Sequence, residues 1–105
     1  MTTTSTQWVG EVLLLPSQPL TEKLISMGIP DWAIRLDIMG IMLPDLSWSY
    51  RNGDGTWQCV AMNTTAITTN AATEADARAM KLAQLLETGE LSIFDVFDKL
   101  EGLAA

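Results

Sequence analysis

The chain has 105 residues, 48% of them hydrophobic and 18% charged, with six basic residues against thirteen acidic ones and a net charge of −7. That hydrophobic share excludes a wholly disordered chain. So acidic a balance argues against bare nucleic acid or an anionic membrane as a direct partner, since both attract clustered Lys and Arg. The chain has no histidine and one cysteine, which excludes a His-based triad, a His metal ligand and an intramolecular disulfide.

In chain order, residues 1–6 are expected to form a flexible tail and residues 7–105 a single domain. The start, Met1 to Gln7, is Thr-rich and lacks Lys and Arg, and the early apolar run Val12 to Leu15 ends at Pro16. That is not the pattern of a secretory signal. With Cys59 alone and no long apolar segment, a cytoplasmic location is expected. Trp8 to Leu15 is apolar and β-branched enough for a strand. Pro16-Ser17-Gln18-Pro19 is a break, and Leu20 to Met27 reads as a short helix with Gly28 as its stop.

Residues 31–43 fit two periods. Ile34, Leu36 and Ile38 alternate with Arg35 and Asp37, the strand pattern, whereas Trp32, Leu36 and Met39 fit helical spacing. The alternation favours a strand. Residues 46–62 read as a β-hairpin, because Asn52-Gly53-Asp54-Gly55 supplies residues that tolerate positive φ. A turn centred between Gly53 and Asp54 pairs Tyr50 with Trp57 and Trp48 with Cys59. The expected inner face is then Leu46, Trp48, Tyr50, Trp57, Cys59 and Ala61, with Ser47, Ser49, Arg51, Thr56 and Gln58 outside.

Residues 63–72 are Thr-, Asn- and Ala-rich, and read as a loop or an edge strand through Thr65 to Thr68. Thr73 followed by Asp76 is a helix-start signature. The helix is expected over Glu74 to Thr88, burying Ala75, Ala79, Leu82, Ala83 and Leu86, with Gly89 as the stop. Ser92 and Asp95 repeat the start signature, and Ile93, Val96, Phe97 and Leu100 form the buried side of a last helix. The fold class predicted is α+β in two layers: a small, mainly antiparallel sheet around hairpin 46–62, packed against the C-terminal helices.

Four features could carry function. Asp95, Asp98 and Glu101 recur at i, i+3, i+6 and line one side of the last helix, with Glu87 and Glu90 just upstream and Lys99 the lone cation among them. Such a stripe suits a protein partner with a basic surface, or is simply a solvated face. The middle segment, with Trp32, Met39 and Met42, is more apolar than one small sheet needs. It is a candidate partner or self-association surface, and a homo-oligomer is one outcome, while a Met-filled core is the plainer reading. The rings Trp48, Tyr50 and Trp57 could stack a small ligand or carbohydrate, or form the core. Asn52 to Gly55 faintly resembles a calcium loop, but Tyr50 stands where an acid or amide is needed. Cys59, the one strong nucleophile, has no activating base and is expected to be buried. No residue pattern designates a catalytic, cofactor or metal site.

Trp48-Ser49-Tyr50, Gly55-Thr56-Trp57 and Thr73-Glu74-Ala75-Asp76-Ala77-Arg78-Ala79 resemble small uncharacterised accessory proteins encoded by bacteriophages and prophages. The resemblance covers about residues 46 to 88. It implies a compact protein of the host cytoplasm that blocks a host or defence protein, and it transfers no active-site residues. The sequence reading is therefore a non-enzymatic protein-interaction module acting by surface occlusion. A small-ligand or carbohydrate binder and a self-assembling component are the alternatives.

Overall fold

A computed structural model describes residues 14–62, 64, 68 and 70–104, the side chain of residue 104 excepted. The expected tail 1–6, the expected strand at 8–15 up to residue 13, and the edge strand through 65–67 lie outside the described residues. The chain runs through helix α1 (Gln18–Ser26), a 3-10 turn (Asp31–Ala33) and helix α2 (Leu36–Met42). Hairpin strands β1 (Ser47–Arg51) and β2 (Trp57–Ala61) follow, and then helices α3 (Glu74–Thr88) and α4 (Ile93–Ala104). The two strands make one antiparallel sheet packed against helices, a small α+β fold.

Helix α3 is the organising element. Thr73 caps it by accepting the Asp76 N–H at 3.1 Å, a contact worth about 1 kcal/mol. Gly89 ends it at φ +80°, in the left-handed region that glycine enters without strain. The Asp76 carboxylate does not close back on the cap. It accepts the Ser17 N–H at 2.6 Å and so fixes the start of α1 beside the start of α3. Two faces of α3 are buried. Ala75, Ala79, Leu82 and Ala83 form one, and Ala77, Lys81 and Leu85, four residues apart, form the other. A helix buried on two sides needs neighbours on both, and α3 packs on β2 and β1 as well as on α1 and α2. Its alanines allow that close approach. Helix α4 joins mainly through α2, and Val96 and Leu100 are its buried residues.

Helix α1 begins two residues earlier than expected, with Pro19 in its first turn, where a missing N–H costs nothing. It ends in a Schellman pattern: Ile29 N–H donates to the Leu24 carbonyl and Gly28 N–H to the Ile25 carbonyl, both at 3.0 Å, with Gly28 at φ +103°.

Two expectations are corrected. Residues 31–43 form the 3-10 turn and α2, not a strand. Met39, Met42 and Leu43 are buried at helical spacing against α3, so tertiary burial decided a segment whose local alternation covers only Ile34 to Ile38. In the hairpin, the pairs are Arg51 with Trp57, Tyr50 with Gln58, Ser49 with Cys59, Trp48 with Val60 and Ser47 with Ala61. This is one residue away from the expected register, and one residue of slip turns a strand over. The cause is the loop. Asn52 N–H donates to the Thr56 carbonyl at 2.7 Å, and Gly55 N–H to the Asn52 carbonyl at 3.0 Å. Five residues, 52–56, therefore make the connection rather than an even-numbered turn. The inner face keeps Trp57, Cys59 and Ala61 from β2, but takes Ser47, Ser49 and Arg51 from β1. Trp48 and Tyr50 lie on the outer face, 50% and 40% exposed.

Candidate functional site

The exposed side of α4 gathers most of the predicted partner-binding residues. At about 3.6 residues per turn, Phe97, Glu101, Phe94, Asp98 and Asp95 follow one another around the helix, and all five are exposed. Phe94 is 74% exposed, although an apolar ring of that size ordinarily finds cover. On one flank, Phe97 and Glu101 meet Trp32 of the 3-10 turn. Together with Pro30 and Leu100 they line a cleft of about 280 Å³ whose walls are apolar except for Glu101. Trp32 is 53% exposed there. On the other flank, Asp95 and Asp98 meet Asp45 and Glu90 in an open acidic cleft beside Lys99. Trp32, Glu90, Asp95, Asp98 and Glu101 thus belong to one surface built from the 3-10 turn, α4 and the loops at residues 44–45 and 90–91.

Sequence reasoning placed Phe97 on the buried side and made no use of Phe94. The available signal was Phe94 itself, an aromatic among the acids and off the Ile93–Val96–Leu100 row. The lone cation of the segment is directed to Asp45 and the backbone rather than to Asp95, Asp98 or Glu101. Lys99 Nζ donates to the Leu43 carbonyl at 2.9 Å and stands 3.8 Å from Asp45.

Three predicted residues lie elsewhere. Glu87 pairs with Lys23 at 2.6 Å between α3 and α1. Met39 and Met42 are fully buried. The apolar surface expected of these methionines is corrected to a core, since burying them is what holds α2 on α3 and α4. Trp32 is an exposed apolar residue of the middle segment that does face a cleft.

Cys59 and the Ser49–Glu74–Arg78 cluster make packing and structural contacts. Cys59 is buried under the hairpin, and burial pushes its thiol up to about 11 against the opposing pull of Arg78 and Lys81. A thiol so raised is a poor nucleophile. Ser49 Oγ donates to the Glu74 carboxylate, which also accepts from Arg78 Nη2 at 3.1 Å. Arg78 Nη1 donates to the Leu36 carbonyl at 2.9 Å. This network bolts β1, α2 and α3 together, and its charges are mutually satisfied. Among the described residues, no group of three or more His, Cys, Asp or Glu is placed to hold a metal ion. The Asn52–Gly55 segment is the hairpin loop, with Asp54 Oδ1 accepting from Thr56 Oγ1 at 2.6 Å. No helix among the described residues is long and apolar enough to cross a membrane.

Comparison with family models, with curated proteins and with solved structures finds no match. The surface of α4 therefore has to be understood from its own chemistry.

Proposed function

We propose that this chain is a non-enzymatic protein-binding module that acts by covering a partner's surface with the outer side of α4 and the adjoining 3-10 turn. The observation that carries this reading is the continuous exposed arc of Phe97, Glu101, Phe94, Asp98 and Asp95 beside Trp32. Aromatic anchors inside a polar rim are the composition of a binding surface. A buried, raised Cys59 and the lack of histidine support a role without nucleophilic catalysis. The finer form is a phage-encoded inhibitor of a host or defence protein, working in the host cytoplasm, and it rests on the resemblance carried by Trp48 to Ala79.

The test is capture of partners by the native protein and by a Phe94→Ser/Asp98→Lys double variant, with folding of both checked by circular dichroism. A stoichiometric partner retained by the native protein and lost by the folded variant is expected. Equal capture by both would remove α4 from the reading.

A second reading is favoured by the hairpin register. Leu46, Trp48, Tyr50, Gln58, Val60 and Met62 share the outer face, and Tyr50 Oη donates to Gln58 Oε1 at 2.8 Å. Exposed rings with an amide beside them suit the apolar face and hydroxyls of a carbohydrate or similar small ligand. Sugar-dependent quenching of tryptophan emission that disappears in Trp48→Ala is the expected sign. An unchanged spectrum across a sugar panel would count against it.

A further inference from the structure

The binding surface on α4 has chemistry specific enough to name what it takes. We infer that its occupant is a basic protein segment, one Lys or Arg of which lies in the Trp32–Phe97 cleft with its charge at Glu101, while further basic residues meet Asp98 and Asp95. This inference rests on the protein-binding reading above and deepens it.

Three observations support it. First, the cleft is shaped for an amphipathic side chain. Pro30, Leu100 and the two rings offer apolar wall, and the one charged group is the Glu101 carboxylate. A long cationic side chain lays its methylenes on such a wall and carries its charge past the ring faces to an acid. An aliphatic side chain would leave Glu101 without a partner, and an acidic one would be repelled.

Second, Asp95, Asp98 and Glu101 have no ion pair among the described residues. Lys23 is paired with Glu87, Arg35 with Asp37 at 2.8 Å, and Arg78 with Glu74. Lys81 is buried, with Gln84 as a partner at 3.1 Å. Lys99 faces Leu43 and Asp45. Arg51 is at the end of β1 by the hairpin loop. No described cation therefore lines the Trp32–Phe97 cleft, which leaves Glu101 open to a partner's cation.

Third, the two clefts flank one helix. A basic segment lying across α4 would meet the apolar cleft with one residue and, with another, Asp95 and Asp98, which line the second cleft beside Lys99. A net charge of −7 would steer such a partner in from a distance.

The test uses the full chain, labelled with nitrogen-15, titrated with an amphipathic Leu/Lys helix peptide and with its Leu/Glu counterpart. The expected result is that the Lys peptide alone shifts the Trp32 indole N–H and the amides of Phe94, Phe97 and Glu101. Glu101→Gln and Trp32→Ala should each weaken that binding by about tenfold, the scale of a lost anchor. Both positions are exposed, so the variants should remain folded, and the spectrum itself reports this. If both peptides shift these signals equally, the face binds protein but does not select a basic one, and this inference falls while the reading beneath it stands. If the Lys peptide binds without moving these signals, or no peptide moves them, both fall.

Discussion

A Cβ placed on Gly40 would stand 2.6 Å from Nη1 of Arg78, the nitrogen that donates to the Leu36 carbonyl. Gly40 is therefore the gap in α2 through which α3 reaches across. Alanine in a helix is ordinarily better than glycine by up to about 1 kcal/mol. Here it would push the guanidinium from Leu36 and Glu74, and a half-buried charged hydrogen bond is worth about 1.5–3 kcal/mol. Gly40→Ala is expected to destabilise the native protein by about 1 kcal/mol net. In an Arg78→Ala background the same change should turn stabilising. Urea denaturation of the four proteins closes the cycle. The same sign in both backgrounds would place the cost of Gly40→Ala somewhere other than Arg78.

The hairpin loop carries a pH signature. Asp54 Oδ1 accepts from the Thr56 hydroxyl at 2.6 Å and from the Thr56 N–H at 3.0 Å, and these bonds hold its carboxyl below the usual carboxylate value. The unfolded chain lacks them. The stabilisation is therefore complete above the ordinary carboxylate pKa and is lost as pH falls through the lower, folded value. Thr56→Val deletes the hydroxyl and keeps the N–H, so Asp54 should titrate higher while remaining below its ordinary value. Carboxyl-carbon chemical shifts followed from neutral to acid pH measure this directly. An unmoved titration would mean that the hydroxyl bond is not made in solution.

What could be anticipated from the sequence divides by the range of the forces involved. Thr73 and Gly89 act within a turn of their own helix, so the limits of α3 were legible, whereas the Asp76 carboxylate reaches Ser17, 59 positions away. The acids at 95, 98 and 101 were legible for the same reason, since spacing alone puts them on one side. Residues 31–43 were not, because Ile34, Leu36 and Ile38 alternate as in a strand while Trp32, Leu36 and Met39 fit a helix, and burial of Met39 and Met42 against α3 decided between them. The cleft beside α4 depends on Trp32 meeting Phe97, 65 positions along the chain, and no local pattern encodes that meeting. Nor does any encode the link from Arg78 to Ser49, 29 positions apart.

The hairpin register is open to direct measurement. Asn52 N–H bonds the Thr56 carbonyl and Met62 N–H bonds the Leu46 carbonyl, so the hydrogen-bonded pairs are 52/56, 50/58, 48/60 and 46/62. The intervening pair Ser49 and Cys59 is non-hydrogen-bonded, with α-carbons about 4.5 Å apart. A strong Hα–Hα nuclear Overhauser effect between Ser49 and Cys59 is expected, and another between Ser47 and Ala61. In the slipped register Trp48 would oppose Cys59 instead, and its ring would be shielded from acrylamide. Observation of that contact with a protected Trp48 would return both rings to the core and remove the outer-face ligand reading with them.

Stability and binding should separate by position. Met39 and Met42 have no solvent exposure, whereas Phe94 is 74% exposed. Met42→Ala removes most of a buried side chain between α2 and its neighbours and is expected to cost about 2–5 kcal/mol, depending on how far the site collapses. Phe94→Ser removes a larger side chain that covers little, so its cost should stay within about 0.5 kcal/mol. Partner capture should respond in the opposite sense. The Phe94 variant loses an anchor at unchanged stability, and the Met42 variant, under conditions where it remains folded, keeps the whole α4 face. Chemical denaturation and capture measured on the same two proteins give the comparison. If Met42→Ala abolished capture while folded and Phe94→Ser did not, the partner would be recognising α2 or the arrangement it imposes, and the outer side of α4 would be solvated surface.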